Sequence, residues 1–404
     1  MSTSAPTPAT ADRLRPFGTT IFAEMSALAV KHRAVNLSQG FPDDPGPAAA
    51  HAAANRAMQA GHNQYAPMPG IPTLRQAIAD WTHSLNALNP NPNTDITVTA
   101  GATEALAAAM LGLVNPGDEV ILFEPYYDSY RACVAFAGAT PRFVQLKPDP
   151  TNTRFTFDEA ELRAAFTSKT KLVLVNTPHN PTGTVLSRAE LQTIAALCQQ
   201  HDVLALSDEV YETLTYNESE PHISIASLPG MHERTITVSS IGKSYSLTGW
   251  KIGWAVAPQH LTAGIRAAHQ FLTFAVATPF QHAAAELLTS HRNEAQAITE
   301  HDHAMRDLLV PALTDLGFKC FNPAGTYFVM ADHTEVSNRL ALTPDPTADV
   351  ALCQHITEHA KVAAIPPSAF YSTPTDGQSF IRFAFCKQQR TIEQAIANLR
   401  QLLG

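Results

Sequence analysis

The residue best suited to covalent chemistry is Lys243. It stands in SSIGKSYSLTGWKIGW (239–254), between an apolar run and a Gly/Ser-rich turn, not on a charged helix face. A lysine in such a pocket can have a lowered pKa and act as an amine nucleophile, whereas an isolated lysine is a surface charge. Lys251 follows eight residues later. Asp208, in VLALSDEVY, is costly in apolar surroundings unless a cation or several donors hold it. It is therefore either a structural partner or the counter-charge of a ligand. Tyr211 follows at a spacing that points it the same way or packs it in the core. Arg382 is a lone guanidinium on the apolar run FIRFAF, and its natural partner is a carboxylate, from an ion pair or from a ligand. Asn180 sits in NTPHNPTG (176–183), where a turn is the plain alternative. Gly101-Ala102-Thr103 opens a helical run, so its backbone N–H groups form either an anion seat or a simple strand-to-helix turn. No G-x-x-x-x-G-K-[ST] loop is present.

These residues all follow strand-like runs. ITVTA (96–100), EVILF (119–123), KLVLVN (171–176), VLALS (203–207) and TITVSS (235–240) end in small, aromatic, amide, acidic and basic groups; RFVQL (142–146) is a further strand. Ligands of open α/β sheets bind beyond the carboxyl ends of strands, so the endings together outline a pocket. The runs are continuously apolar, which calls for a mostly parallel sheet covered on both faces by helices. Two helices lie at 103–114 and 187–201. In the second, Ser187 and Glu190 have the spacing of a capping box, and Leu191, Ile194, Leu197 and Cys198 recur at helical period. A long helical stretch is expected at 284–316. The expected organisation is a disordered segment 1–14, a segment 15–48 completing a small domain, a large domain 49–290 with a seven-stranded sheet, and a small α+β domain 291–404.

Composition bounds the rest. The 404 residues are 45% hydrophobic and 16% charged, enough for a sizeable core. Lys plus Arg is 27 against 36 Asp plus Glu, a net charge of −9 with no long basic run. That speaks against a nucleic-acid or anionic-membrane surface. The longest apolar run, ALAAAMLGLV (105–114), falls short of the ~20 residues of a membrane span, and the N-terminus has no signal-peptide core. Five scattered cysteines without C-x-x-C suit a reduced, cytoplasmic protein with neither disulfides nor a metal site. The 17 histidines form no ligand-spaced pair and are expected mostly at the surface.

Taken together, SSIGKSYSLTGWKIGW, NTPHNPTG, SDEVY and FIRF, in that order, resemble the class I/II fold-type-I aminotransferases that use pyridoxal 5'-phosphate (PLP). The likeness runs from about residue 16 to the end. NLSQGFPDDPGP (36–47) and NQYAPMPGIPTLR (63–75) resemble the kynurenine aminotransferase and glutamine transaminase K branch. GTTIFAEMSALA (18–29) adds a likeness to bacterial methionine aminotransferases.

The resemblance implies that Lys243 carries the cofactor covalently and later moves the substrate proton. Asp208 would pair with the pyridinium nitrogen. Tyr211 and Asn180 would bond the phenolic oxygen, and Tyr126 would stack on the ring. Ala102, Thr103, Ser240 and Lys251 would hold the phosphate, joined by Tyr65 from the partner of a homodimer. Arg382 would clamp the substrate carboxylate, with Gly40 against the substrate. The implied activity is a ping-pong transfer of the amino group of methionine, and of glutamine or aromatic amino acids, to a 2-oxo acid through the pyridoxamine form. Three departures stand out. His179 precedes Asn180 where much of the branch has Asn, Lys251 replaces an Arg of the aspartate branch, and no Trp lies near Thr19–Phe22. The rivals are a carbon–sulfur lyase on the same fold and a ligand sensor, which would need a DNA-binding module.

Overall fold

The computed structural model describes residues 10–151, 153–217 and 221–404. Part of the expected 1–14 tail, residues 1–9, lies outside them; within them Asp12–Leu14 forms a short 3-10 turn. The apolar runs build an eight-stranded sheet. Its spatial order is Ile96–Ala100, Ile252–Val256, Thr235–Ser240, Leu204–Asp208, Thr170–Asn176, Glu119–Glu124, Thr140–Pro148 and Phe155–Phe157. The interior pairings from Thr235–Ser240 to Thr140–Pro148 are parallel. Ile252–Val256 runs antiparallel to both neighbours.

The sheet thus has eight strands where seven were expected. Phe155–Phe157 adds a three-residue antiparallel edge to the end of Thr140–Pro148, too short for a period to declare it. In the buried strands successive side chains point to opposite faces. Ile121 and Phe123 join one apolar layer with Leu191, Ile194, Leu197 and Cys198. Val120 and Leu122 join the other with Leu106, Met110 and Val134. Burying each such Leu, Ile or Val stabilises the fold by about 1.5–3 kcal/mol, so the doubly covered sheet is the rigid frame.

The helix Arg188–His201 starts on Ser187, whose Oγ accepts from Glu190 N while the Glu190 carboxylate accepts from Ser187 N. It ends at Asp202 in the left-handed conformation. The stretch expected as one helix is two, Thr278–Ser290 and Arg292–Asp315, parted at His291. No Gly or Pro stands at the break, so composition could not mark it.

The smaller part holds an antiparallel sheet of Lys319–Phe321, Phe328–Asp332 and Phe380–Ala384. Val35–Asn36 pairs in parallel with Val362–Ala363, tying the early segment to the late one. Helices Ile21–His32, Ala348–His359 and Gln389–Leu403 enclose its core, which includes Leu37, Phe318, Val329, Ile356, Phe383 and Leu399. Among the described residues no helix is long and apolar enough to cross a membrane.

Candidate active site

A cavity of about 490 Å³ opens beyond the carboxyl ends of the large sheet, and the small sheet forms its other wall. Asp208 ends the strand Leu204–Asp208, so its carboxylate emerges at the cavity floor. Tyr130 Oη donates to it at 2.7 Å. Burial pushes its pKa up to about 6, against the opposing pull of Tyr130 and, more weakly, Lys243. Asn176, its neighbour in register, donates from Nδ2 to Asp208 O at 2.8 Å and accepts Asn180 N at 2.8 Å. One amide thus fixes two of the expected site residues.

Lys243 stands on the short turn Ile241–Ser244 after the strand Thr235–Ser240. Its Nζ donates to Tyr327 Oη at 2.7 Å. Burial lowers its pKa to about 8, with the Cys386 and Asp208 side chains pulling weakly the other way. Tyr211 is buried edge-on to Tyr327, with ring centroids 5.3 Å apart. Tyr211 lines the cavity, and Tyr327 lies behind it against Lys243.

At the start of the helix after Ile96–Ala100 the backbone is left bare. Gly101 begins the helix Gly101–Leu113 at φ +71°, and a Cβ on Gly253 would lie 2.5 Å from Ala102 N. Only bare backbone leaves those amides open. Lys251 Nζ donates to Thr103 Oγ1 at 3.3 Å, and Ser240 lines the same end. The first turn is tied down by Glu104, which accepts from Ala100 N and meets His269 Nδ1 at 2.6 Å. His269 Nε2 reaches Met68 O at 2.9 Å.

Arg382 lies on Phe380–Ala384 and is 1% exposed. Its Nη1 donates to Asn180 Oδ1 at 2.9 Å and its Nη2 to Ser38 O at 3.0 Å, while Nε is buried without a partner. The Phe328 ring lies 4.0 Å from its Cζ, with Phe22 and Phe370 at 5.4 Å. Burial lowers its pKa to about 10. Among the described residues it makes no ion pair, so the structural-pair alternative falls. A buried fork with neutral partners and an unpaired Nε–H suits a carboxylate.

Two expected residues are not in the cavity. Tyr126 turns into the core and stacks on Phe143, its N–H bonded to Phe370 O. Its neighbour Tyr127 lines the cavity instead. In a Tyr-Tyr pair at a strand end, only one ring can face each side, and the sequence alone did not say which. Tyr65 is 85% exposed and lies outside its own chain's cavity, edge-on to Phe274. Gly40 does line it. Tyr130, Tyr327, Phe328 and Phe41 escaped the sequence reading; the aromatic run GTYFVM was the one available signal. The histidines are also less superficial than expected. His179, His269 and His333 are buried, and burial drops His179 to about 3.

Comparison with known proteins decides the family. The family model of aminotransferase class I and II matches residues 32–399. The chain belongs to the class I and II aminotransferases. It is 44% identical to a probable N-succinyldiaminopimelate aminotransferase of Mycobacterium tuberculosis, over 97% of this chain and 98% of that one. It is 43% identical to the methionine aminotransferase of Escherichia coli, over 96% and 97%. Human kynurenine–oxoglutarate transaminase 1 is 38% identical over 94% and 95%. The solved structure of the Mycobacterium tuberculosis N-succinyldiaminopimelate aminotransferase superposes with a TM-score of 0.92 at 45% identity, covering 98% of this chain and all of that one. The Escherichia coli methionine aminotransferase structure gives 0.91 at 41%, with the same coverage.

This aminotransferase is therefore a PLP-dependent enzyme, and its cavity fits that cofactor. The bare-backbone cradle and Lys251 suit a phosphate, Asp208 suits a protonated ring nitrogen, and a buried amine of lowered pKa stands between them.

Proposed function

We propose that this aminotransferase moves the α-amino group of methionine, and of glutamine or aromatic amino acids, to a 2-oxo acid. The observation that carries the substrate reading is one part of the cavity lining: Thr20, Phe22, Phe41 and Tyr127, with Asp128 next in sequence to Tyr127. The Lys and Arg residues of the cavity are Lys243, Lys251 and Arg382, all with work elsewhere in this reading. A distal carboxylate, such as that of an N-succinyldiaminopimelate, would meet Asp128 and, among the described residues lining the cavity, no further Lys or Arg. An uncharged thioether or aryl side chain meets rings instead. Phe22 occupies the stretch where the kynurenine branch is expected to use Trp, leaving a narrower aromatic contact.

When bound, PLP supplies an electron sink conjugated to the substrate Cα. Ala102, Thr103, Ser240 and Lys251 hold its phosphate, Asp208 keeps its ring nitrogen protonated, and Tyr211 and Asn180 hold its phenolic oxygen. Tyr127 takes the ring-facing place first given to Tyr126. Arg382 fixes the α-carboxylate, which orients the Cα–H bond toward Lys243. Lys243 Nζ takes that proton and later returns it, a role matched by an amine whose pKa is near 8.

The enzyme works as a cytoplasmic homodimer in this reading. Tyr65 and Phe271 are each 85% exposed, with Phe274 and Met58 nearly half exposed. Rings so exposed suit a subunit interface that delivers Tyr65 to the partner's phosphate seat.

The test adds methionine without oxo acid and follows the absorbance of the holoenzyme. Conversion to the pyridoxamine spectrum with one equivalent of oxo acid supports the reading. Release of ammonia and a thiol with the spectrum restored would establish the lyase instead. A kcat/KM for N-succinyldiaminopimelate above that for methionine would overturn the substrate reading.

A further inference from the structure

The phenol of Tyr327 is a part of the site that the roles above leave unused. It belongs to the small-sheet wall, next to Phe328, and is 1% exposed. Its oxygen lies 2.6 Å from Gly40 O and 2.7 Å from Lys243 Nζ. A carbonyl oxygen can only accept, so the single phenolic proton is committed to Gly40. The phenol therefore faces Lys243 as an acceptor, and the lysine donates. Gly40 O lies 3.5 Å from the same Nζ, closing a small triangle. The amine also sits 5.3 Å from the Tyr327 ring centre and 5.6 Å from that of Tyr211.

We propose that Tyr327 is a positioning residue that docks the amine of Lys243 whenever it is not bonded to the cofactor. This rests on the reading of Lys243 as the cofactor-bearing, proton-moving lysine. A neutral amine has two N–H bonds and one lone pair. With one N–H held by Tyr327 and the other directed at Gly40 O, the lone pair is left to face the cavity, where the substrate Cα–H must arrive. A free four-carbon side chain would otherwise spread over many rotamers and lose most of its encounters with that proton. The triangle is rigid at its base. A Cβ on Gly40 would fall 2.4 Å from Phe328 Cζ and 2.8 Å from Tyr327 Cε2, so the residue that accepts the phenolic proton has no room to move. The amine is thus aimed from the small-sheet wall, although it is tethered to the large one.

The test is Tyr327→Phe, which keeps the ring against Tyr211 and Phe328 and removes only the oxygen. Two measurements are made on the full-length protein. In the cofactor-free form, the pH dependence of Lys243 acetylation is read by peptide mass mapping. In the holoenzyme, kcat and KM are measured with an amino donor. An oxygen facing an ammonium favours the charged form, so the acetylation midpoint is expected to fall by about half a unit or more in the variant relative to the parent. The kcat is expected to fall about tenfold or more, with KM changed by less than about twofold. An unmoved midpoint, or an unmoved kcat, overturns the proposal. Borohydride reduction of both holoenzymes keeps the two readings apart. Cofactor fixed to the Lys243 peptide in both upholds the lysine's role, so a null result then falls on Tyr327 alone. No cofactor fixed there in the parent overturns the cofactor-lysine reading itself.

Discussion

The two walls of the cavity are built differently. On the large-sheet wall, Asp208, Lys243 and the amides after Ala100 follow the ends of buried strands or open the helix beyond them. The strands before Asp208 and Lys243 each share a register with two neighbours, and the edge strand Ile96–Ala100 with one. On the small-sheet wall, Arg382 and Tyr327 lie on or beside short antiparallel strands, and they meet Ser38 and Gly40 from a distant stretch of chain. The first wall is suited to holding the cofactor and doing chemistry. The second is suited to gripping the substrate and aiming the amine. The difference teaches that reaction and recognition are carried by separate pieces of the fold.

If that division holds, variants of the first wall should lose turnover and cofactor, and variants of the second should lose either substrate affinity, as at Arg382, or the aim of the amine and hence kcat, as at Tyr327. Lys243→Ala is the largest case. It is expected to retain PLP without a covalent link and to lose kcat by about 10⁴-fold or more, since nucleophile and proton carrier vanish together; single-turnover absorbance checks it. Arg382→Lys should leave a charge but no fork. A loss of about 100-fold in kcat/KM, mostly in KM, corresponds to one charged hydrogen bond of about 3 kcal/mol. A loss confined to kcat would break the comparison.

The third prediction concerns pH. Asp208 in the cofactor-free chain has its pKa raised to about 6, so it is neutral below that value and charged above it. PLP affinity should therefore weaken as pH falls through about 6, by up to about tenfold per unit. Asp208→Asn should bind weakly and lack that component; fluorescence titration of both proteins from pH 5 to 8 separates it from the cofactor's own ionisation.

The smallest effect comes from a charge outside both walls. Asp302 lines a second cavity of about 310 Å³, is 3% exposed, and makes no hydrogen bond or ion pair among the described residues. Burial raises its pKa to about 8 from the usual 3.8. The folded chain thus holds a proton that the unfolded chain releases, and stability falls as pH rises through that interval to about 8. Asp302→Asn is spared this loss. Its melting midpoint should exceed the parent's by about 2 °C or more at pH 9 and converge with it toward pH 4.

The same two walls explain what was legible. ITVTA and TITVSS match their strands residue for residue, because β-branched Ile, Val and Thr fill most of their length. The residues after such strands must then face the ligand, which is why Asp208, Lys243 and Thr103 could be named. Asn180 and Arg382 were singled out by residue type and setting, but no local pattern records their contact with one another. Tyr127 was missed by one position, since a turn and not a strand sets which ring of the pair faces inward. Tyr327 was missed because its meaning comes from Gly40 and Lys243, far away in the chain. The break at His291 escaped because nothing in its side chain forbids a helix.

The stretch from Thr20 to Phe41 supplies Thr20, Phe22, Gln39, Gly40 and Phe41 to the cavity, and it is held to the small-sheet side by the strand pair at Val35–Asn36, by Met25 and Leu37 in that core, and by Ser38 O on Arg382. It is one short, contiguous piece of chain. Exchanging it for a matching piece of a relative that keeps Gly40 would redraw the substrate's surroundings, while Asp208 and the phosphate seat keep their supports on the large-sheet side. Such a cassette lets new specificities arise by a single recombination event, within a family whose members carry the names of several different amino acids.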